Sequence, residues 1–111
     1  MTMKKMIWAV VRPERVYEVT SALAEAGYNA STKWQVGGRG KQKGIQVGDV
    51  CYEEITKNAL MVVVDEEEKN EVIDIIMQAA ITGDGENSGD GKVFVVPVEE
   101  SYTISSTSKD D

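Results

Sequence analysis

The strongest constraint on the fold of this 111-residue chain is a weak internal repeat. A shift of 53 positions lays the apolar run at residues 6–11 on the apolar run at residues 59–64. The same shift superposes two sets of apolar residues at helical spacing, which are Val19, Leu23 and Ala26 in the first half and Val72, Ile76 and Ala79 in the second. The sequence therefore predicts a duplicated strand–helix–strand unit.

Local signals mark the ends of the two helices. Pro13 suits the first turn of a helix, where its missing N–H costs nothing, and Gly27 suits the end, because glycine enters the left-handed conformation without penalty. In the second unit the acidic residues 65–68 suit the start of a helix, where the helix dipole favours negative charge, and Gly83 ends the apolar pattern. Both helices are thus bounded within their units.

The second strand of each unit completes the predicted fold. Residues 31–36 alternate and predict a half-buried strand, whereas residues 93–98 predict a strand whose end, at Pro97, lies at a sheet edge or a bulge. The order β-α-β-β-α-β is the ferredoxin-like motif, an α+β fold with a four-stranded antiparallel sheet and both helices on one face. Because the runs 6–11 and 59–64 are apolar on both faces, chains are expected to associate through the open face.

The composition excludes several classes of function. With 19 acidic and 12 basic residues the net charge is −7, which argues against broad binding to nucleic acid. The chain has no histidine and Cys51 is its only cysteine, so an intrachain disulfide, a Cys/His metal site and a His-based catalytic system are excluded. Its apolar runs are far shorter than the roughly 20 residues that span a membrane. Acid–base chemistry would fall to carboxylates, lysine or tyrosine. We expect a cytoplasmic protein without membrane insertion.

Two glycine-rich segments, expected to be connections between strands and helices, are candidates for chemistry. Residues 37–44 hold four glycines and three cations, and residues 83–92 end in a lysine at the start of the last strand. Glycine allows close backbone approach to an anion, so either segment could cradle a phosphate or could be a solvated connection. Three known patterns do not fit these segments. A Walker A loop would need Gly in place of Glu86, a GxGxxG motif would need Gly in place of Lys43, and an EF-hand would need Glu in place of Val95.

Specific strings narrow these options. The string GRGKQKG, the stretch GDGKVFVVPVEE and the AEAG that closes the first helix together resemble the PII (GlnB-like) signal-transduction family, from Lys5 to about Ile104. The compact stretch IQVGDVCYEEITK resembles the nitrogenase-associated subgroup. The resemblance implies a trimer of ferredoxin-like subunits that binds ATP or ADP with Mg²⁺ between neighbours and 2-oxoglutarate beside MgATP. It also implies a regulator and not an enzyme, one that inhibits dinitrogenase through a T-loop.

Residue roles carried over by this resemblance fall into three groups. The implied nucleotide-binding residues are Thr32, Gly38, Lys41, Gln42, Val63, Gly89, Asp90, Gly91 and Lys92. Gln42 and Lys57 are implied to meet 2-oxoglutarate, and Gln42 also to help ligate Mg²⁺. The implied partner-docking residues of the T-loop, about residues 39–57, are Arg39, Lys43, Val47, Asp49, Tyr52 and Glu53.

The chain also departs from the family pattern. Thr103 and Ser105 stand where the family usually places two phosphate-gripping arginines, and three extra residues add Glu86 near the predicted phosphate turn. If the site is otherwise unchanged, the free energy of nucleotide binding should be less favourable by several kcal/mol, at roughly 1.5–3 kcal/mol per lost charge-assisted contact. Tyr52 has no secure match to the tyrosine that some members modify, so uridylylation is not predicted.

The sequence leaves several alternatives open. The assembly is a homotrimer or a mixed oligomer with a paralogous PII-like subunit, and the target is a nitrogenase component, an ammonium transporter or a biosynthetic enzyme. A trimeric scaffold with a degenerate nucleotide site is a further alternative. A small acylphosphatase-like enzyme would use Arg12 and Asn58, without the glycine-rich cradle such enzymes need. The predicted domain is residues 1–104, followed by a polar tail at residues 105–111.

Overall fold

The molecule is an antiparallel sheet with two helices on one face. The computed structural model describes residues 3–29, 31–47, 50–83 and 88–110, with the backbone alone described at residues 38–47, 50–55 and 88. The sheet has the order β2-β3-β1-β4, and its strands are β1 (Lys4–Val11), β2 (Thr32–Val47), β3 (Val50–Asp65) and β4 (Gly91–Val98). The helices are α1 (Val16–Glu25) and α2 (Lys69–Ala80), each entered through a short 3₁₀ turn, Pro13–Arg15 and Glu66–Glu68.

The core lies between the helices and the two central strands. Alternate residues of β1 and β3 point to the helices, and the register sets Ile7 opposite Val62 and Ala9 opposite Leu60. Buried residues at helical spacing on α1 and α2 cover them. The predicted apolar runs and most of the predicted helical stripes therefore form one core, made by Ile7, Ala9, Val11, Val19, Leu23, Leu60, Val62, Val64, Val72, Ile76 and Ala80. The prediction was wrong for Ala26, which is exposed because α1 ends at Glu25.

The opposite face of the sheet is apolar and open in the single chain. Val63 and Phe94 are 45% and 51% exposed there. Trp8 of β1 meets Trp34 of β2 edge to face, with ring centroids 5.0 Å apart. The strand predicted at residues 31–36 is the start of β2, but residues 31–35 are exposed in the isolated chain and not half-buried, because β2 is the outer strand of the sheet.

The glycine-rich segment at residues 37–44 is part of a strand, and its assignment as a connection was wrong. Strands β2 and β3 stay paired as far as Val47 opposite Val50, with a register shift between Lys41 and Ile45. Glycines in a strand commonly mark such irregularities, which explains why the segment resembles a loop in sequence. We call the described residues 37–47 and 50–57 the hairpin arm; it extends the sheet beyond the level of Asn58, which lies opposite Val11.

The C-terminal residues differ from the expected loose tail. They form a small hairpin of β5 (Tyr102–Thr103) and β6 (Ser108–Lys109). The Asp110 carboxylate accepts hydrogen bonds from the hydroxyls of Ser101 and Thr103, at 2.8 and 2.7 Å. Short polar sequences give no apolar period, so this hairpin carries no signal that sequence analysis could detect. In β4, Pro97 lies in an edge strand, as predicted.

Candidate anion-binding site

The turn that leads into β4 has a backbone that only glycine supports. Residues Ser88–Asp90 form one 3₁₀ turn, and Gly91 follows with φ of +121°. A Cβ atom at Gly91 would overlap the carbonyl oxygen of Val10 in the neighbouring strand β1. Gly91 therefore allows the turn and β1 to approach closely, and we call residues 88–92 the glycine turn.

Asp90 is fixed in this turn by three hydrogen-bonding groups that belong to two residues, Arg12 and Thr82. Its Oδ1 accepts a hydrogen bond from Arg12 Nε at 2.9 Å and one from the Thr82 hydroxyl at 2.6 Å. Its Oδ2 accepts the backbone N–H of Thr82 at 2.9 Å. The hydroxyl and N–H of Thr82 and then Arg12 lower the pKa of Asp90 to about 2, because they stabilise the carboxylate.

Lys57 joins the base of the hairpin arm to the glycine turn. It lies on β3 opposite Val36, and its ammonium donates a hydrogen bond to the carbonyl oxygen of Gly89. Partial burial lowers the pKa of Lys57, and the positive charge of Arg12 lowers it further, while Glu14 and Asp90 act in the opposite direction. Two cations and the Asp90 carboxylate thus lie close together in a partly desolvated place, an arrangement that leaves one positive charge of the three groups for an anion to neutralise.

A cavity of about 350 Å³ opens beside the glycine turn, between the end of α2 and strands β1 and β4. Its polar rim includes Asp90 and Lys92, and its apolar wall includes Ile76, Met77 and Ile81. Pockets that bind small molecules are commonly apolar with few polar groups, and this volume lies at the lower end of their range. A small ligand therefore has room next to the turn.

The structure brings together only part of the predicted nucleotide and 2-oxoglutarate sites. Gly89 of the glycine turn accepts the hydrogen bond of Lys57, Asp90 and Gly91 follow it in the same turn, and Lys92 lies on β4 opposite Val10. Thr32 and Val63 lie elsewhere on the sheet. Val63 is six positions along β3 from Lys57, about 20 Å at 3.3 Å per residue, and Thr32 is opposite Met61, about 13 Å from the level of Lys57. These two groups do not share a cleft within one chain.

Other predicted residues cannot be placed by their side chains. Asp49 and Glu86 lie outside the described residues. The remaining arm residues are described by backbone alone, so their predicted roles stay predictions; they are Gly38, Arg39, Lys41, Gln42, Lys43, Val47, Tyr52 and Glu53. Of the two positions where the family usually has arginine, Thr103 donates to Asp110 and Ser105 is exposed.

Sequence analysis missed the roles of Arg12 and Thr82 at this site. The sequence suggests a role for Arg12 only in an acylphosphatase-like cradle with Asn58, whereas in the structure Arg12 donates a hydrogen bond to the Asp90 carboxylate. The available signals were weak: an Arg-Pro step directly after an apolar strand, and a Thr-Gly step directly after a helix. Arg12 and Asp90 are 78 positions apart, and no local pattern links them.

Comparisons with known proteins agree with the fold. A family model described as nitrogen regulatory protein P-II matches residues 4–108. Over 105 residues, 95% of this chain and 97% of the relative, the chain is 54% identical to nitrogen fixation nifHD2 region GlnB-like protein 1 of Methanosarcina barkeri. Over 105 residues, again 95% of this chain and 97% of the relative, it is 50% identical to nitrogen fixation nifHD region GlnB-like protein 1 of Methanobacterium ivanovii. The crystal structure of Arabidopsis thaliana PII bound to citrate aligns with a TM-score of 0.78 at 28% identity, covering 100% of this chain and 89% of that one. The predicted ferredoxin-like fold is confirmed.

Proposed function

We propose, from the premise that this chain belongs to the nitrogen regulatory protein P-II family, that it is a cytoplasmic regulator of nitrogen fixation. It senses adenylate nucleotide and 2-oxoglutarate, and it inhibits a nitrogenase component by docking through its hairpin arm. The 54% and 50% identity to nifHD-region relatives supports the assignment to nitrogen fixation. The observation that carries the sensing role is the contact of Lys57 with Gly89, which links the arm to the glycine turn.

The functional unit is proposed to be a trimer whose domain spans residues 1–104 of each chain. The open apolar face supports this, because Val63 and Phe94 would otherwise remain in water. Thr32 and Val63 are far from the glycine turn of their own chain, so a nucleotide that meets both groups would lie between neighbouring subunits. Gln42 would ligate the nucleotide-bound Mg²⁺, and 2-oxoglutarate would meet Gln42 and Lys57.

The link between ligand and arm is proposed to run through Lys57. A ligand carboxylate that takes the Lys57 ammonium competes with the carbonyl of Gly89, so the base of β3 and the glycine turn change partners together. A ligand can shift the arm only if it binds the free and docked arms with different affinity. The regulator is therefore expected to release nitrogenase when 2-oxoglutarate is bound and to inhibit when 2-oxoglutarate is scarce.

Calorimetry tests the sensing role. The purified protein is titrated with MgATP, and then with 2-oxoglutarate in the presence and absence of MgATP. Binding of 2-oxoglutarate only when MgATP is present supports the proposal, and Lys57→Ala should abolish it. Lys33→Ala is the matched control, since Lys33 lies on the neighbouring strand β2, opposite Leu60 and away from the glycine turn. Equal loss in both lysine variants would contradict a specific role for Lys57.

Inhibition assays test the docking role. Deleting residues 47–54 removes the end of the hairpin arm, while the core and the open face of the sheet remain. The shortened protein should keep its assembly, checked by light scattering, and should lose inhibition of purified nitrogenase. Full inhibition by the shortened protein would exclude the arm as the docking element, and binding to a transporter or a biosynthetic enzyme would become the better interpretation.

A trimeric scaffold with a degenerate nucleotide site is the second candidate. The hydroxyl of Thr103, at a position usually occupied by arginine in the family, is engaged by Asp110 within the C-terminal hairpin. That contact places a carboxylate beside a position where a phosphate-binding cation is expected. An intact trimer that binds no MgATP, but gains binding in the double variant Thr103→Arg and Ser105→Arg, would favour this candidate.

A further inference from the structure

The glycine turn contains a permanent negative charge, which is unfavourable for an anion site. The pKa of Asp90 is lowered to about 2, so the carboxylate is ionised at neutral pH. Both of its oxygens accept hydrogen bonds within the protein, and its side chain is only 16% exposed. A phosphate or dicarboxylate that approaches the turn therefore meets this charge in a partly desolvated place, where repulsion is poorly screened.

Arg12 is the residue that offsets this charge. Its Nε is 2.9 Å from Asp90 Oδ1. Because it precedes Pro13, Arg12 is restricted to extended backbone, and it has φ of −63° and ψ of 140°. Its guanidinium also lies against Gly89, where a Cβ atom would come within 2.6 Å of Nη2. The end of β1 thus carries a cation directly onto the glycine turn, and Gly89 provides the space for it.

We propose that Arg12 is a positioning residue that makes the glycine turn receptive to anions by neutralising and fixing Asp90. This inference rests on the proposed function, because it assigns a role within the same nucleotide and dicarboxylate site. The role is indirect: the anion is bound by the turn, Lys57 and Lys92, while Arg12 removes the repulsion of the one carboxylate inside the turn. A direct ligand role for Arg12 is the competing explanation.

A double-mutant experiment separates the two roles. Arg12→Gln should weaken MgATP binding about 10- to 100-fold, the usual range for a lost charge-assisted interaction. Adding Asp90→Asn removes the uncompensated carboxylate, so the double variant should recover most of the lost affinity. If Arg12 were a direct ligand, Asp90→Asn would not rescue Arg12→Gln, and that result overturns the inference. Arg12→Lys should fall between wild type and Arg12→Gln.

Arg15→Gln is a matched control for the loss of one positive charge. Arg15 comes from the same short segment, but its guanidinium donates to the carbonyl oxygen of Ala79 at the end of α2, at 2.7 and 2.9 Å. We expect it to leave anion affinity close to that of wild type. A loss equal to that of Arg12→Gln would show that net charge alone decides affinity, and would refute a specific role for the Arg12–Asp90 pair.

Two further measurements separate this inference from the proposed function. Carbon NMR of the Asp90 carboxyl should give a higher pKa in Arg12→Gln than in wild type; an unchanged pKa overturns the inference. Titration with inorganic tripolyphosphate tests the turn without adenine. Suppose that wild type binds tripolyphosphate but not MgATP, and that Asp90→Asn restores the tripolyphosphate affinity lost in Arg12→Gln. The proposed function then fails and the inference stands. If wild type binds MgATP without rescue in the double variant, the inference fails and the function stands. Binding of neither anion overturns both.

Discussion

Replacing Gly91 by alanine is expected to lower the free energy of unfolding by about 1.5–6 kcal/mol, as the sum of a backbone and a packing contribution. The backbone contribution comes from φ of +121°, which costs a residue with a Cβ atom about 1–3 kcal/mol. The packing contribution comes from the overlap with the Val10 carbonyl, whose carbon would lie 2.9 Å from the new Cβ atom. Relieving the overlap separates β4 from β1 and loses one or two ladder hydrogen bonds, at about 0.5–1.5 kcal/mol each.

Gly27→Ala is the control that isolates the packing contribution. Gly27 also has positive φ, +97°, but a Cβ atom there would meet nothing within 4 Å. Its cost should therefore be about 1–3 kcal/mol, the backbone contribution alone. Urea unfolding at one fixed protein concentration measures both variants, and the midpoint should fall further for Gly91→Ala at unchanged slope. Equal destabilisation by the two substitutions would refute the claim that position 91 requires glycine because the chain there closely approaches Val10.

Three further outcomes follow from the contacts described above. Acid should destabilise the protein as pH falls from about 4 to about 2, because the lowered pKa of Asp90 stabilises the fold only while the carboxylate is ionised. In Thr82→Val the hydroxyl that lowers the pKa of Asp90 is gone, so this loss should be smaller and should be complete at a higher pH in urea unfolding measured between pH 2 and 6; an acid limb equal to that of wild type would contradict the assignment. Leu60→Ala, at a fully buried position, should cost about 2–5 kcal/mol in the same assay, whereas Ile104→Ala, 92% exposed, should be nearly neutral. Val63→Glu should yield a smaller species by light scattering while Ile104→Glu leaves the assembly unchanged, and an intact assembly in Val63→Glu would argue against burial of the open face.

The sequence predicted the elements whose residues repeat with a clear period. The apolar runs at 6–11 and 59–64 became β1 and the last part of β3, and the stripe Val19, Leu23 became the buried face of α1. The prediction failed where partners decide the structure. The glycines at residues 37–44 carry no strand signal, and the segment is a strand because β3 pairs with it.

At the candidate site, too, the sequence indicated some of the residues and gave no sign of others. The family resemblance indicated the glycine turn and Lys57, and the structure places them in contact. It gave no reason to connect Arg12 with Asp90, since the pairing depends on how β1 and β4 lie side by side. Roles that depend on a second subunit, such as those of Thr32 and Val63, cannot be settled by periodicity, because the spacing of residues in one chain says nothing about the placement of a neighbour.

The edge-to-face tryptophan pair gives the protein its own optical reporter. Trp8 and Trp34 are the only two tryptophans of the chain, and their rings lie 5.0 Å apart on the open face. Indoles this close exchange excitation energy and couple in near-ultraviolet circular dichroism, so both signals depend on the geometry between β1 and β2. Trp34 is three residues before Gly37, where the hairpin arm begins. Subunit assembly and movements at the base of the arm can therefore be followed by intrinsic fluorescence, without any label on the arm itself.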